Sequence, residues 1–518
     1  MVGECPINGW QQVWNPNTAF MKPQKYLWKI SILAAAILSL LFQCSEDKTY
    51  HLKFSDSFQK NHLSAHRFSM GAGDKAGIVV MDARTQKIVY AENAGEFFIP
   101  ASLTKLATSI YALDTLGEDF RFKTTLYSDG KLENGILSGN LTIVGGGDPV
   151  FSVEDMSHFV RGLHEKGIRK VLGKVFYLDD EIAPRMNIDP DMPKTKYYNT
   201  SFSGLNFANN IQETIRPYNK GRIFLTPPDA HSSVNWNHSN GVYPDINYKI
   251  ENGQWKWIIS GKYNADIPVA LPVPDSGYFF AWNFYLAAKA YGVKLPVPER
   301  ISMEKFRNLD NSPEELVTHE SETLGVIVKD LLLVSNNQWA EVLMVFTAHK
   351  QNPKIVRMEE AAVAMKEYLV KTFPDAGFEK SRIINGSGLS SQTRLTPFQI
   401  LTVLSHARNR YDSQDGGNSF EEMLPVSGIS GTLKSRITDE LLLYRNRAKT
   451  GTLAFAIGMG GYTTTKKGNH YTYVFMKTNF PNRDLYEKDK LGPGENYKWS
   501  MNAQEEFENQ ILRWIKEN

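Results

Sequence analysis

Phe97-Phe98-Ile99-Pro100-Ala101-Ser102-Leu103-Thr104-Lys105 is the stretch on which the fold turns. From Ser102 to Leu116 the apolar residues Leu103, Leu106, Ile110 and Leu113 recur at helical spacing, and Gly117 follows. That period predicts a buried helix with Gly117 as its C-cap. Ser102 opens it, where free backbone N–H groups and the helix dipole favour a negative charge. Lys105, three residues on, shares its face. A serine hydroxyl is a weak nucleophile until a neighbour takes its proton, which a lysine can do if desolvation and a second cation lower its pKa. The same Ser-x-x-Lys spacing occurs at Ser45, Ser57, Ser128 and Ser302, but none of those opens an apolar helix.

Two more short motifs lie downstream. Ser335-Asn336-Asn337 sits between apolar helical runs, Leu324 to Leu333 and Gln338 to Ala348, and so on a loop from which side chains reach a cleft. Lys449-Thr450-Gly451 lies on a predicted strand, Tyr444 to Ala454, that ends its polar motif at Gly451. Lys449 is the candidate second cation. Ser335 would relay a proton to a leaving amine and Asn337 would hold a substrate amide. Lys449 and Thr450 suit a terminal carboxylate, Gly451 lets a substrate approach the backbone, and the N–H of Thr452 would complete an oxyanion hole with that of Ser102. Taken singly, these are an N-cap, an interhelical turn and an edge-strand charge. Together, in this order and in matching local structure, they read as one catalytic set.

Around this set the pattern is mixed. Gly77 to Asp82 and Lys87 to Ala91 read as a hairpin, Glu359 to Thr372 as a helix, Ile457 to Thr463 and His470 to Lys477 as strands, and Ala503 to Lys516 as a closing helix. From Phe120 to Pro298 the character changes to strands and turns, as inserted material would. The glycines Gly145 to Gly147 lack a following Lys-Ser/Thr and read as a turn rather than a phosphate loop.

The chain of 518 residues is long enough for several domains, and its net charge of +2 gives no basic field for nucleic acid. Its only cysteines, Cys5 and Cys44, precede the globular part, which excludes disulfides and cysteine-ligated metals there. The one helically spaced histidine pair, His62 and His66, lacks a carboxylate pattern, so no metal is expected. Ile30 to Phe42 is a short apolar run after Lys22, Lys25 and Lys29, shorter than a membrane span and suited to an export signal. Met21 can serve as the start of that signal. Leu41-Phe42-Gln43-Cys44 resembles a bacterial lipoprotein cleavage site with Cys44 as the lipidated residue; an uncleaved anchor is the other reading. Either tethers the body outside the cytoplasm, with 1–43 as signal region and 44–70 as tether.

The three motifs are the signature of penicillin-interacting serine enzymes. With Phe97 to Ser102, Gly139 to Pro149, Asn385-Gly386-Ser387-Gly388-Leu389-Ser390, Met423-Leu424-Pro425 and Gly431-Thr432-Leu433, the chain from Gly77 onward resembles the D-alanyl-D-alanine carboxypeptidase/endopeptidase family of low-molecular-mass class C penicillin-binding proteins, the penicillin-binding protein 4 type. The gap of more than 200 residues between Ser102 and Ser335 fits that family's insertions. The resemblance implies a multi-domain α+β fold: a split transpeptidase-like domain, an antiparallel sheet sandwiched by helices, over 71–120 and 305–518, and a β-rich insert over 121–304 with a nested part at 185–265. It implies hydrolysis of peptidoglycan peptides through an acyl-enzyme on Ser102, inhibition by β-lactams, no cofactor and a periplasmic site in the bacterial envelope. It also implies an acidic contact from the insert to the stem peptide, for which Asp179 and Asp180 are the candidates, and it shows Asn385 where an aspartate is common. A serine β-lactamase and a non-catalytic wall-binding or β-lactam-sensing lipoprotein are the alternatives. The first is opposed by the large insert, the second by the intact Lys105, Ser335, Asn337 and Lys449. Oligomeric state is left open.

Overall fold

Two apolar runs around a tight polar turn form an antiparallel hairpin, Asp74–Asp82 with Lys87–Glu92. The first strand pairs with His470–Asn479 from the far end of the chain, Val80 opposite Tyr473. Ala456–Thr464 and Asn446–Leu453 complete a five-stranded antiparallel sheet, with Asn446–Leu453 at one edge and Lys87–Glu92 at the other. Side chains alternate across a sheet, and here both faces are covered. Val79, Met81, Val474 and Met476 share a core with helices Thr104–Leu116, Asn337–Gln351 and Pro397–Tyr411. Ile78, Val80, Tyr473 and Phe475 pack with Phe507, Ile511 and Ile515 of helix Pro493–Glu517. Each aliphatic side chain so buried contributes roughly 1.5–3 kcal/mol. The two ends of the described chain are thus joined as one body by apolar burial.

This computed structural model describes residues 50–52, 70–215, 223–237, 245–262, 268–309, 313–411, 419–436 and 438–517. The run read as an export signal, Cys44, the His62 and His66 pair and most of the span read as a tether lie outside the described residues. Tyr50 to Leu52, within the span read as tether, dock on the body: Tyr50 N donates to Thr372 O at 2.9 Å and Leu52 joins the main core. Among the described residues no helix is long and apolar enough to cross a membrane.

The chain leaves the body at Phe122 and returns at Ser321, where Phe122 N donates to Ser321 Oγ and Ser321 N to Phe122 O, both at 2.9 Å. Between them a second five-stranded sheet runs in the order Glu299–Arg300, Val175–Leu178, Leu141–Val144, Lys123–Ser128, Glu314–Glu320. Glu314–Glu320 pairs antiparallel with Lys123–Ser128 in this sheet. Reading the span as strands and turns overlooked two helices, Val153–Glu165 and Ser276–Ala290, that cover this sheet. The first has a plain cause: Ser152 and Asp155 form a capping box, and Met156, Phe159, Val160 and Leu163 make its buried stripe. A smaller core of Ile223, Val234, Trp255, Trp257, Ile259 and Leu271 belongs to two three-stranded sheets. Their segment is closed off where Val273 N donates to Asn210 O at 2.9 Å. Ile182, Ile188 and Phe202 of the insert join the main core instead.

Candidate active site

The serine helix begins with a tight 3-10 turn, Ala101–Leu103, before Thr104–Leu116, and it stops at Gly117 with φ 85°. Ala101 takes a left-handed φ of 47°, which swings the chain into the turn and leaves Ser102 half-buried while Ala101 and Leu103 are sealed in. The helix is buried all round from Thr104 to Leu113, so Lys105 has no route to water. Its Nζ donates to Ser102 Oγ at 2.9 Å, to Asn337 Oδ1 at 2.7 Å and to the Ser387 carbonyl at 2.9 Å. Burial pushes the Lys105 pKa down to about 7, against the upward pull of the Glu341 carboxylate. The Ser102 hydroxyl and the Lys105 amine are therefore held at hydrogen-bond distance, with the lysine near neutrality, an arrangement that can serve general base catalysis. Of the two causes expected from the sequence, desolvation does the lowering.

Glu341 was not singled out in the sequence. It is fully buried one turn beyond Asn337, and its two oxygens accept from Gly386 N at 2.8 Å and Ser387 N at 2.9 Å. It thereby fastens the loop Asn385 to Ser390 against Lys105. Burial raises its own pKa, while those hydrogen bonds and Lys105 pull it back. The available signal was a lone carboxylate inside the apolar run Gln338 to Ala348. Asn385 is buried at the base of that loop, its Oδ1 accepting from Ser390 N at 3.5 Å.

Ser335 ends helix Leu324–Val334 in the left-handed region, φ 59°, and Asn336 caps the next helix by accepting from Trp339 N at 3.1 Å. The turn is also held from the insert. Asn209 Oδ1 accepts from Trp339 Nε1 at 2.9 Å and from Asn336 Nδ2 at 3.3 Å. Asn337 Nδ2 donates to the Tyr198 carbonyl at 2.9 Å. With Oδ1 on Lys105, both ends of the Asn337 amide are engaged within the protein, so it holds Lys105 in place. Neither Tyr198 nor Asn209 was legible as a site residue, because one acts through its backbone and the other through a long-range contact.

Lys449 is fully buried, its Nζ donating to Ser335 Oγ and to the Thr450 carbonyl, both at 2.8 Å. Burial first, then the neighbouring cations Lys105 and Arg436, hold its pKa well below the usual lysine value. Thr450 Oγ1 donates to Thr432 Oγ1 at 2.9 Å. The strand continues past Gly451 to Leu453, leaving Thr452 exposed beside the helix start. A Cβ on Gly451 would lie 2.6 Å from Pro100 O and 3.2 Å from Ser102 N. Gly451 is thus needed for the strand to lie against the serine turn, a closer constraint than substrate access.

Hydrogen bonds join Ser102, Lys105 and Asn337 in one set and Ser335, Lys449 and Thr450 in another, and the charge of Lys105 acts on Lys449 between them. Asp179 and Asp180 stand apart from that network. Asp179 is buried against Arg300 at 3.0 Å, with burial raising its pKa to about 6, and Asp180 accepts from Met303 N at 3.1 Å. Both carboxylates hold the insert's own corner.

A family model described as D-Ala-D-Ala carboxypeptidase 3 (S13) matches residues 60–494. The chain is 24% identical over 489 residues to the D-alanyl-D-alanine carboxypeptidase DacB of Haemophilus influenzae, covering 90% of this chain and 96% of the relative. It is 25% identical over 421 residues to a D-alanyl-D-alanine carboxypeptidase of Actinomadura, covering 76% of each. Among solved structures, penicillin-binding protein 4 of Haemophilus influenzae superposes with a TM-score of 0.66 at 23% identity, over 79% of this chain and 91% of that one. A predatory peptidoglycan endopeptidase of Bdellovibrio bacteriovorus gives 0.51 at 18% identity, over 85% and 92%.

Proposed function

The chain belongs to the D-Ala-D-Ala carboxypeptidase 3 (S13) family, and on that premise we propose that Ser102 is the nucleophile of a penicillin-binding serine hydrolase acting on peptidoglycan stem peptides. The observation that carries this is Lys105 Nζ at 2.9 Å from Ser102 Oγ, with burial bringing the ammonium pKa to about 7. Neutral Lys105 takes the hydroxyl proton as Ser102 Oγ bonds to the carbonyl carbon of the penultimate D-Ala. The tetrahedral oxyanion forms beside the N-terminal turn of the serine helix, where backbone N–H groups and the helix dipole favour it. Ser335, hydrogen-bonded to Lys449, delivers a proton to the leaving nitrogen as the C–N bond breaks. The proton on Lys105 is returned to Ser335, and neutral Lys105 then takes a proton from the water that attacks the ester and passes it to Ser102 Oγ as the ester C–O bond breaks. A β-lactam acylates the same oxygen, its amide bond opening without a leaving group that departs.

Lys449 and Thr450 face the substrate's terminal carboxylate, and the N–H of Thr452 joins that of Ser102 at the oxyanion. The export signal Ile30 to Phe42 and Cys44 support a lipid-tethered place in the cell envelope. Glu314–Glu320 pairing with Lys123–Ser128 supports an insert running from 123 to 320.

The test is incubation of the purified protein with muropeptides, products read by mass spectrometry, beside labelling with fluorescent penicillin. Wild type releases D-Ala or cuts dimers and takes the label, and Ser102→Ala does neither. Equal product formation by Ser102→Ala would sink the mechanism.

A further inference from the structure

Tyr50, His51 and Leu52 are fastened to the catalytic body at one end of its five-stranded sheet. Tyr50 Oη donates to Gln86 Oε1 at 3.3 Å, in the turn after strand Asp74–Asp82, and accepts from Asn409 Nδ2 at 3.4 Å, near the end of helix Pro397–Tyr411. Its ring meets Phe373 and His406 edge-on at 6.4 and 5.8 Å. His51 Nδ1 lies 2.8 Å from Asp375 Oδ2, and Leu52 is 8% exposed. Only residues 45–49 separate Tyr50 from Cys44. That length of chain spans at most about 22 Å. A lipid on Cys44 therefore brings the bilayer surface within that reach of Tyr50, and an uncleaved anchor ending at Phe42 adds only two residues.

The same end is basic. Arg84 and Lys87 flank Gln86, Lys371 precedes Thr372, and Lys466 and Lys467 lie in the neighbouring turn, set beside the first where Ala83 N donates to His470 O at 2.8 Å; all five cations are exposed. The carboxylates bonded to these segments are engaged locally. Asp82 Oδ1 accepts from Arg84 N at 3.0 Å and Thr85 N at 2.7 Å, Asp375 faces His51, and Glu421 Oε2 lies 3.1 Å from His470 Nε2. Basic groups this close to a short tether suit one partner, an anionic lipid surface, whose potential attracts them within a Debye length of roughly 8 Å. We propose that this end of the body is seated on anionic lipid headgroups, with Tyr50 to Leu52 pinning it there and the active site turned away. The catalytic geometry agrees with that orientation. Asp114, whose Oδ2 is 2.8 Å from His406 Nε2 beside Tyr50, lies in the last turns of the serine helix, and the helical rise from Ser102 to Asp114 is about 18 Å. Gly451, against Ser102, lies level with Gly77 through Gly458 and Met476, well along the strand from Asp82. Seated so, the enzyme meets stem peptides close above the membrane. This rests on the tethered reading above.

For the test, the full chain is reconstituted into vesicles of phosphatidylcholine and phosphatidylglycerol in equal parts, with acceptor dye on a fraction of the headgroups. Donor dye is placed at Asn469→Cys, in the basic end, or at Lys488→Cys, beyond Asn479 at the other end of the same sheet; both positions are exposed. The unsubstituted chain gives the background from Cys5 and Cys44. Energy transfer is expected to be about threefold or more higher from Asn469→Cys than from Lys488→Cys. That excess should fall by about twofold or more in the double variant Arg84→Glu, Lys466→Glu, in Tyr50→Ala, and in vesicles of phosphatidylcholine alone, with circular dichroism alike in every form. Equal transfer from the two positions would overturn the proposal, and so would an excess that survives charge reversal, loss of the Tyr50 ring or removal of the anionic lipid. A chain released from vesicles of both compositions would instead overturn the tethered reading, and the membrane seat with it.

Discussion

Lys105 shows how one buried charge sets a working pH. Its ammonium is fully enclosed, and removal from water drives its pKa from 10.5 to about 7. Below that pH the ammonium holds its proton and cannot take one from Ser102; above it the amine is free. The second-order rate of penicillin acylation is therefore expected to rise with pH through about 7 and then level, as stopped-flow labelling would show. Folding is linked in the same direction: the folded state holds fewer protons than the unfolded chain between about 7 and 10.5, so this residue's contribution to stability improves as pH rises through that window. Glu341 opposes the shift, so Glu341→Gln should move the acylation limb to lower pH while loosening the Gly386 and Ser387 amides, of which a glutamine oxygen can accept only in part. A limb that stays in place would mean Glu341 acts on the loop alone. Ser102 and Lys105 were legible because spacing and an apolar period coincide. Glu341 was passed over because a carboxylate in a helix is ordinarily a solvated one, and only tertiary packing puts this one under a lysine.

The turn between helices Leu324–Val334 and Asn337–Gln351 carries the next constraint. Its motif was legible, as were the two helices, which the apolar periods place within a few residues of their observed limits. Its backbone was not. Ser335 sits at φ 59° and ψ 35°, where an L-residue pays roughly 1–2 kcal/mol that glycine does not. Replacing it separates strain from chemistry. Ser335→Gly and Ser335→Ala both lose the Lys449 contact and should both acylate slowly. The glycine variant is expected to have the higher urea midpoint, by the equivalent of about 1 kcal/mol. An alanine variant as stable as the glycine one would show that the left-handed turn stores no strain. The same logic explains the missed helices of the insert. The capping box at Ser152 was readable locally, whereas Ser276–Ala290 is so rich in aromatic residues that its sequence has no polar face to mark a period.

Across the whole molecule the inserted material divides in two by what it packs against. Ile182, Ile188 and Phe202 enter the main core, and Tyr198 and Asn209 hold the turn at Ser335-Asn336-Asn337. No local pattern announces this, since the partners lie more than a hundred residues away in sequence. The segment beyond Asn210 instead buries Trp257, Ile259 and Leu271 among its own strands, and its two ends meet in the ladder that sets Gln212 opposite Leu271. Units with separate cores open separately. Replacing residues 213–270 by an Asn-Gly turn, which suits a two-residue antiparallel connection, should therefore leave a soluble protein that penicillin labels within about threefold of the wild-type rate, distant sites being nearly additive. Replacing 123–320 should not, because it uncovers the main core and strips Asn337 of its Tyr198 partner. Calorimetry beside fluorescent penicillin labelling compares the two deletions. If the smaller one lost labelling as fully as the larger, the nested sheets would be part of the catalytic body's support, and the division of the insert drawn from its cores would be wrong.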